Sequence, residues 1–250
     1  MKIFLAGAAG VIGRRLVVLL RQAGHDVVGT TRSETKAAAL HTLGATPAIV
    51  DVYDAHKLKL AVYAAQPDVI IHQLTDLPQE LDPQKLQAAL DSNARLRIEG
   101  TRNLVDAALA SGVRRMIAQS IAFAYAPGDE ALTEEHPLAL GDNGYGRRTA
   151  EGVAALEQAV TQTPGIDGIV LRYGRLYGPG TWTEIPNGAA SLHIDAAAHA
   201  ALLALARGAP GIYNIAEDDG AVSSEKAKRE LGFDAAFRMR DQVMVGQARP

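Results

Sequence analysis

Apolar and polar residues along this chain follow two alternating periods. Short apolar runs recur, the first being Lys2-Ile3-Phe4-Leu5-Ala6, with the length and bulk of buried parallel strands. Between them lie longer stretches with apolar residues every three or four positions. Arg14 to Ala23 is the first of these, with Leu16, Val17, Leu19 and Leu20 on a dense face and Gly24 as its stop. Asp26-Val27-Val28-Gly29-Thr30 is then a second strand, which closes a strand–helix–strand unit of about thirty residues.

The pattern continues in the same alternation. Glu34 to Leu43 predicts a helix stopped by Gly44, and Ala48-Ile49-Val50 a third strand ending at Asp51-Val52. Asp54 caps a helix running to Ala65, and Val69 to His72 is the fourth strand. Asp82-Pro83 opens a helical pattern that runs to about Ser111, before Gly112. Arg115 to Gln119 is the fifth strand, with Ser120 at its carboxyl end, and residues 124 to 144, rich in Pro, Gly and acids, form a loop. Thr149 to Thr161 is helical with Val153, Leu156 and Val160 on one face, and Gly168 to Arg172 is the sixth strand. Ile194 to Ala206 and Ser224 to Leu231 are helices on either side of a short strand, Ile212 to Ile215. Strands alternating with helices predict an α/β fold, a doubly wound parallel sheet covered on both faces.

The first strand and helix are joined by Gly7-Ala8-Ala9-Gly10-Val11-Ile12-Gly13. Gly7 turns the chain, Gly10 clears the approach of a pyrophosphate, and Gly13 lets helix close on strand. Ala9, Val11 and Ile12 then surround the pyrophosphate, which the helix N–H groups and dipole favour. Position in a strand–turn–helix–strand unit makes this glycine triplet a strong sign of a dinucleotide. The second strand ends in Thr30-Thr31-Arg32-Ser33, with no acid to hold the ribose hydroxyls of NAD. Arg32 suits a 2′-phosphate, with the neighbouring hydroxyls adding bonds and Arg14 or Arg15 helping from the other side. NADP is therefore expected over NAD.

Composition narrows the class. The chain has 250 residues, 48% hydrophobic and 21% charged, enough for one sizeable core. Net charge is −3 with both signs scattered, so nothing points to nucleic acid or an anionic membrane. The absence of cysteine excludes disulfides and thiol catalysis and suits a reducing cytoplasm. Lys2 followed by apolar residues mimics a signal peptide, but Arg14 and Arg15 interrupt it. A homodimer remains open as the assembly.

These residues resemble the extended short-chain dehydrogenase/reductase family, the NAD-dependent epimerase/dehydratase group. Gly7 to Gly13 resembles its glycine motif, and Asp51-Val52 its adenine-holding pair. His72-Gln73-Leu74-Thr75 is similar to its strand-end segment, and Asn93 with Gly100-Thr101-Arg102-Asn103-Leu104 to its central helix. Arg172 with Tyr177-Gly178-Pro179-Gly180, and His193-Ile194-Asp195-Ala196, resemble later motifs, so the likeness spans about residues 1 to 232. It implies a Rossmann-type sheet with a small C-terminal substrate lobe. Residues 1–172 and 193–216 would form the dinucleotide-binding domain, and 173–192 and 217–250 the lobe. It also implies cofactor contacts from Asp51, Val52, Leu74 and Thr75, beside the glycine loop and Arg32 on one rim of the sheet.

The resemblance implies a catalytic Ser or Thr and a Tyr-x-x-x-Lys pair, and here the pattern departs. No lysine lies between Lys85 and Lys226. Tyr53 to Lys57 has the spacing but follows the third strand and is read as chance. One alignment makes Tyr145 the acid/base, with Ser120 its hydroxyl partner and Thr149 in the place of lysine. The other matches Glu157 to a glutamate of the family's active-site helix, which puts Thr149 and Val153 at the Tyr and Lys positions. Glycines on both sides of Tyr145 suggest a loop there and favour the second.

Other residues read as structural. His72 is expected to be a satisfied core histidine, and Asp195 with His199 a helical surface pair, so no metal site is expected. Tyr125 either faces the nicotinamide or packs. Two functions follow: an NAD(P)-dependent oxidoreductase or epimerase/dehydratase-like enzyme for a small carbonyl or sugar-type substrate, or a non-catalytic NADP-binding redox sensor. The short C-terminal lobe speaks against a nucleotide sugar.

Overall fold

The computed structural model describes residues 1–78, 82–128, 130–140 and 145–239. Seven parallel strands form the central sheet: β1 (Lys2–Ala6), β2 (Asp26–Thr31), β3 (Thr46–Ile49), β4 (Val69–His72), β5 (Arg115–Ile121), β6 (Asp167–Tyr173) and β9 (Gly211–Ile215). They lie in the order β3-β2-β1-β4-β5-β6-β9. The apolar runs are nearly continuous because both faces of the sheet are covered.

On one face α1 (Val11–Gln22), α2 (Glu34–Thr42), α7 (Ile194–Leu203) and α8 (Glu225–Leu231) close over Ile3, Leu5, Ile71, Ile117 and Leu171. The Ala-rich stretch of α7 lies directly against α1, where small side chains permit close helix contact. On the other face α3 (Ala55–Ala65), α5 (Thr101–Ala110) and α6 (Tyr145–Gln162) cover Phe4, Ile70, Met116 and Val170. The strand order reverses beside β1, between β2 and β4. The crevice at that switch point, above the carboxyl ends of the strands, is where such sheets bind ligands.

The structure revises several boundaries read from the pattern. β3 runs Thr46–Ile49 and so sits earlier than predicted, leaving Val50, Asp51 and Val52 in the loop beyond it. The long helix from Pro83 is broken into α4 (Pro83–Arg95) and α5 by a π-helical turn at Leu96–Gly100. A Cβ at Gly100 would lie 2.9 Å from Leu96 Cδ1 and 3.2 Å from Val52 Cγ1, so a glycine there lets the helix close on the loop after β3. β5 extends to Ile121 and places Ser120 inside the strand. The backbone at Tyr145 is helical, not looped, and α6 begins there.

Two further strands have no counterpart in the pattern. β7 (Arg175–Tyr177) and β8 (Ser191–His193) pair in parallel as a separate small sheet, each only three residues long and without a resolvable period. The chain after α8 folds back onto α7, where Phe237 stacks on His199 with ring centroids 3.9 Å apart. Met239 N there donates to Asp195 Oδ2 at 3.0 Å.

Candidate functional site

The glycine loop is shaped by contact on both sides. Gly7 has φ +89°, and a Cβ there would lie 2.7 Å from the Gln73 carbonyl carbon. A Cβ on Gly13 would lie 2.1 Å from Gly7 O, so no side chain fits between loop and helix. Gly10 differs, since its Cβ would meet Gly7 O alone, at 3.3 Å, and otherwise open space. Gly10 also starts α1 without any side-chain cap, and no acid stands in the first turn. The free N–H groups of Val11 and Ile12 and the positive helix end therefore meet an open cradle beside Ala9, which fits a pyrophosphate.

The hydroxyls expected to serve a 2′-phosphate each accept a backbone N–H, which fixes their oxygens and leaves their O–H protons free to donate. Thr30 Oγ1 accepts from Gly7 N at 3.1 Å, which ties β2 to the glycine loop. Thr31 Oγ1 accepts from Ser33 N at 3.2 Å, and Ser33 caps α2 through Lys36 N. Arg15, by contrast, is not available. It is buried, with Nε 2.8 Å from Asp195 Oδ1 and Nη2 donating to Pro179 O at 2.9 Å, so it joins α1 to α7 and to the segment after β7.

Arg32 remains exposed, with Nη2 3.7 Å from Asp76 Oδ1 across the crevice. Beside it is an open cavity of about 260 Å³ lined by Arg32, Ile49, Val50, Asp51, Asp54 and Lys57. Asp51 Oδ1 holds Tyr53 N at 3.0 Å, and Val52 O accepts from Asn103 Nδ2 at 2.9 Å. The first bond shapes the loop after β3, and the second joins it to α5. Leu74 is held from both sides, its N–H donating to His72 Nδ1 at 3.2 Å and its carbonyl accepting from Gln119 Nε2 at 3.3 Å. Thr75 next to it is exposed.

His72 is fully buried, with Nε2 3.1 Å from Thr101 Oγ1. Since Nδ1 accepts from Leu74 N, the proton sits on Nε2. Burial, with the nearby Arg97 charge, pushes its pKa down to about 4, so the ring is neutral at physiological pH. This is the satisfied core histidine expected from its place at a strand end.

At the other end of the rim a buried polar ladder crosses three strands. Ser120, Arg172 and Asn214 are register partners on β5, β6 and β9. Ser120 Oγ donates to Glu157 Oε1 at 2.9 Å. Arg172 grips the same carboxylate with two bonds, Nε to Oε1 at 2.8 Å and Nη2 to Oε2 at 2.6 Å. Tyr125 lies over the Arg172 guanidinium at 4.7 Å and donates to Asn214 Oδ1 at 2.6 Å. Tyr125 therefore packs within this ladder. Burial acts to lower the Arg172 pKa, but the bonds and charge of Glu157 outweigh it and raise it. Burial raises the Tyr125 phenol as well.

Glu157 faces the sheet from α6, and Val153 and Thr149 stand one and two turns before it on the same face. Val153 is fully buried and Thr149 partly so. Tyr145 starts this helix, and its side chain lies outside the described residues. The expected surface pair on α7 is instead internal: Asp195 is buried against Arg15, while His193 Nδ1 accepts from Asp195 N at 3.1 Å. Among the described residues no group of His, Asp and Glu is arranged to hold a metal, and no helix is long and apolar enough to cross a membrane. Asp76 and Asn93, whose Oδ1 accepts from Asp76 N at 3.1 Å, complete the crevice wall. Asp76 carried no signal in the sequence, because only the fold sets it opposite Arg32.

A parallel sheet of this order, a helix opening on an uncapped glycine loop and a rim of strand-end residues define a dinucleotide-binding enzyme fold. The chain belongs to the NAD dependent epimerase/dehydratase family, whose family model matches residues 3–206. It is 38% identical over 247 residues to a 3-diazoavenalumate denitrifying reductase from a Streptomyces species, an alignment spanning 90% of this chain and 79% of that protein. In three dimensions it is similar to the UDP-glucose 4-epimerase of Thermus thermophilus in complex with NAD, with TM-score 0.77, 18% identity and 97% and 96% of the two chains covered. It is also similar to DesIV, a dTDP-glucose 4,6-dehydratase from Streptomyces venezuelae, with TM-score 0.74, 19% identity and 95% and 93% covered. The protein is thus an oxidoreductase or epimerase-like member of its family, built for a nicotinamide dinucleotide.

Proposed function

We propose that this protein is an NADPH-dependent reductase that reduces a strongly electrophilic small molecule, a diazo compound, without a protein-borne proton relay. The observation that carries the reading is the inner face of α6. Thr149 and Val153 precede Glu157 there, Val153 is fully buried, and no lysine lies between Lys85 and Lys226. Glu157 is consumed by Ser120 and Arg172, so the Ser120 hydroxyl is held by a carboxylate rather than presented as an acid.

A carbonyl reduced by hydride becomes an alkoxide and needs a proton from a positioned donor. A diazonium carbon does not: hydride forms the C–H bond, the C–N bond breaks, and its electron pair leaves in N₂. The balance is R–N₂⁺ plus hydride to R–H plus N₂, with no proton required. The reduced nicotinamide, when bound, supplies that hydride. The chain's own part is to seat the dinucleotide on Gly7, Ala9, Gly10, Val11, Ile12 and Gly13, with Asp51, Val52, Leu74 and Thr75 along the adenosine side. Arg32, and Lys57 in the same cavity, favour the 2′-phosphate. The similarity to a reductase named for acting on a diazo compound supports the substrate class.

The test is reduction of 4-carboxybenzenediazonium with 4-deuterated NADPH, following N₂ release and deuterium in the arene above the enzyme-free rate. Enzyme-dependent deuterium transfer at a kcat that stays flat across neutral to mildly alkaline pH is the expected result. Reduction of aldehydes or epimerisation of UDP-glucose, with no enzyme-dependent diazonium reduction, overturns the reading.

A further inference from the structure

Beyond the ends of β5 and β6 two exposed side chains meet. Phe123 follows β5 by two residues and Arg175 opens β7 two residues past β6, and Ile121 and Tyr173 at those strand ends are register partners. The Arg175 guanidinium lies over the Phe123 ring, 4.8 Å from its centroid. A Cβ on Gly188 would sit 3.6 Å from Arg175 Cδ, so the arginine runs between the sheet rim and the segment joining β7 to β8. Phe123 is 44% exposed, and Trp182 of that same segment 46%. Trp182 Nε1 donates to Pro78 O at 3.0 Å, which spans the crevice from the small sheet to the loop after β4.

We propose that Phe123 and Arg175 form the substrate-recognition platform of this enzyme, and that its substrate is a planar aromatic or conjugated monocarboxylate. This rests on reading the rim as the reductase site. A guanidinium stacked on a ring uses its face and leaves its edge N–H fork free, the geometry that takes a carboxylate with two bonds. Among the described residues Arg175 has no ion-pair partner, whereas Arg238, which lies over Tyr177 of β7, is 3.5 Å from Glu217. One free cation matches one negative charge. Glu184 and Asp219, which have no ion-pair partner among the described residues, would repel a diphosphate. The exposed rings of Phe123 and Trp182 give a flat ligand apolar faces on which to stack.

The experiment is calorimetric titration of the full-length protein, saturated with NADP⁺, with 4-hydroxycinnamate, its methyl ester and UDP-glucose. The acid is expected to bind about ten- to a hundredfold more tightly than the ester, the scale of one charge-assisted pair. Arg175→Ala erases that difference, Arg175→Lys restores part of it, and Phe123→Leu weakens acid and ester alike. Acid and ester binding equally, neither binding while NADP⁺ does, or UDP-glucose binding best would each overturn the proposal. The readout is binding alone, so it fails separately from the diazonium assay. Circular dichroism of each variant identifies one that has not folded, and the conservative Arg175→Lys then decides.

Discussion

Ser120 Oγ and Arg172 Nε share one oxygen, Glu157 Oε1, at 2.9 and 2.8 Å. The hydroxyl at the end of β5 is thereby part of a buried ion pair that fixes α6 to β5 and β6. Ser120→Ala removes one hydrogen bond while Arg172 still satisfies the carboxylate. Stability is expected to fall by about 1–2 kcal/mol in urea unfolding. The kcat of a reductase with no protein-borne relay should stay close to wild type, whereas loss of an acid/base group would cost about 10²-fold or more. Glu157→Gln, which leaves Arg172 buried without its counter-charge, should cost more, about 3–5 kcal/mol.

The cradle at Gly10 makes a contrasting prediction, in which binding changes and stability does not. Its Cβ would touch little of the protein, only Gly7 O at 3.3 Å, and its φ of −76° suits any residue. Gly10→Val should therefore fold with nearly wild-type thermal stability yet lose dinucleotide affinity, because the added methyls fill the pyrophosphate's approach. Fluorescence titration with NADPH beside a melting curve checks both halves. Wild-type affinity in the variant would show that the cradle does not hold the cofactor.

The fold and the glycine loop were legible because both rest on local rules. Apolar runs, glycine stops and the G-x-x-G-x-x-G loop are written in consecutive residues, and they placed the sheet and most helices. What failed was long-range. Arg15 looked like a free cation beside the glycines, and only the docking of α7 on α1 shows it paired with Asp195. Thr30 carries a second role that the sequence did not show, since the approach of β2 to the glycine loop makes its hydroxyl oxygen an acceptor for Gly7 N. The platform of Phe123 and Arg175 left no trace, since their meeting depends on the β5–β6 register.

We propose that Arg32 sets the cofactor preference. It is 63% exposed and lies 3.7 Å from Asp76, so its resting partner is weak and readily exchanged for a phosphate. NADPH should bind more tightly than NADH, and Arg32→Ala should erase the preference while leaving NADH affinity nearly unchanged. Lys57→Ala, which lines the same cavity and is paired with Asp54 at 3.1 Å, should reduce the preference by a smaller amount. Kd values for both cofactors on the three proteins test this, and equal wild-type affinities would refute it.

His72 gives a pH dependence whose sign is fixed by burial. Its pKa falls from 6.5 to about 4 in the folded protein, so between those values the unfolded chain binds more protons than the folded one. The stabilising contribution of the neutral ring is complete above the unfolded pKa and is lost as pH falls towards the folded one. For a fully buried ring this amounts to roughly 3 kcal/mol between about pH 7.5 and about pH 4. Carboxylates titrate in the same range, so the comparison must be with a variant. His72→Asn keeps an acceptor near the Nδ1 position for Leu74 N, gives up the bond to Thr101, and carries no titratable group. It should be less stable than wild type at the upper pH, because it packs less well in a fully buried site. Its further loss on acidification should be smaller than that of wild type by roughly 3 kcal/mol. Urea unfolding of both proteins at the two pH values measures this directly, and parallel losses would mean that His72 does not titrate as the buried, neutral ring described above.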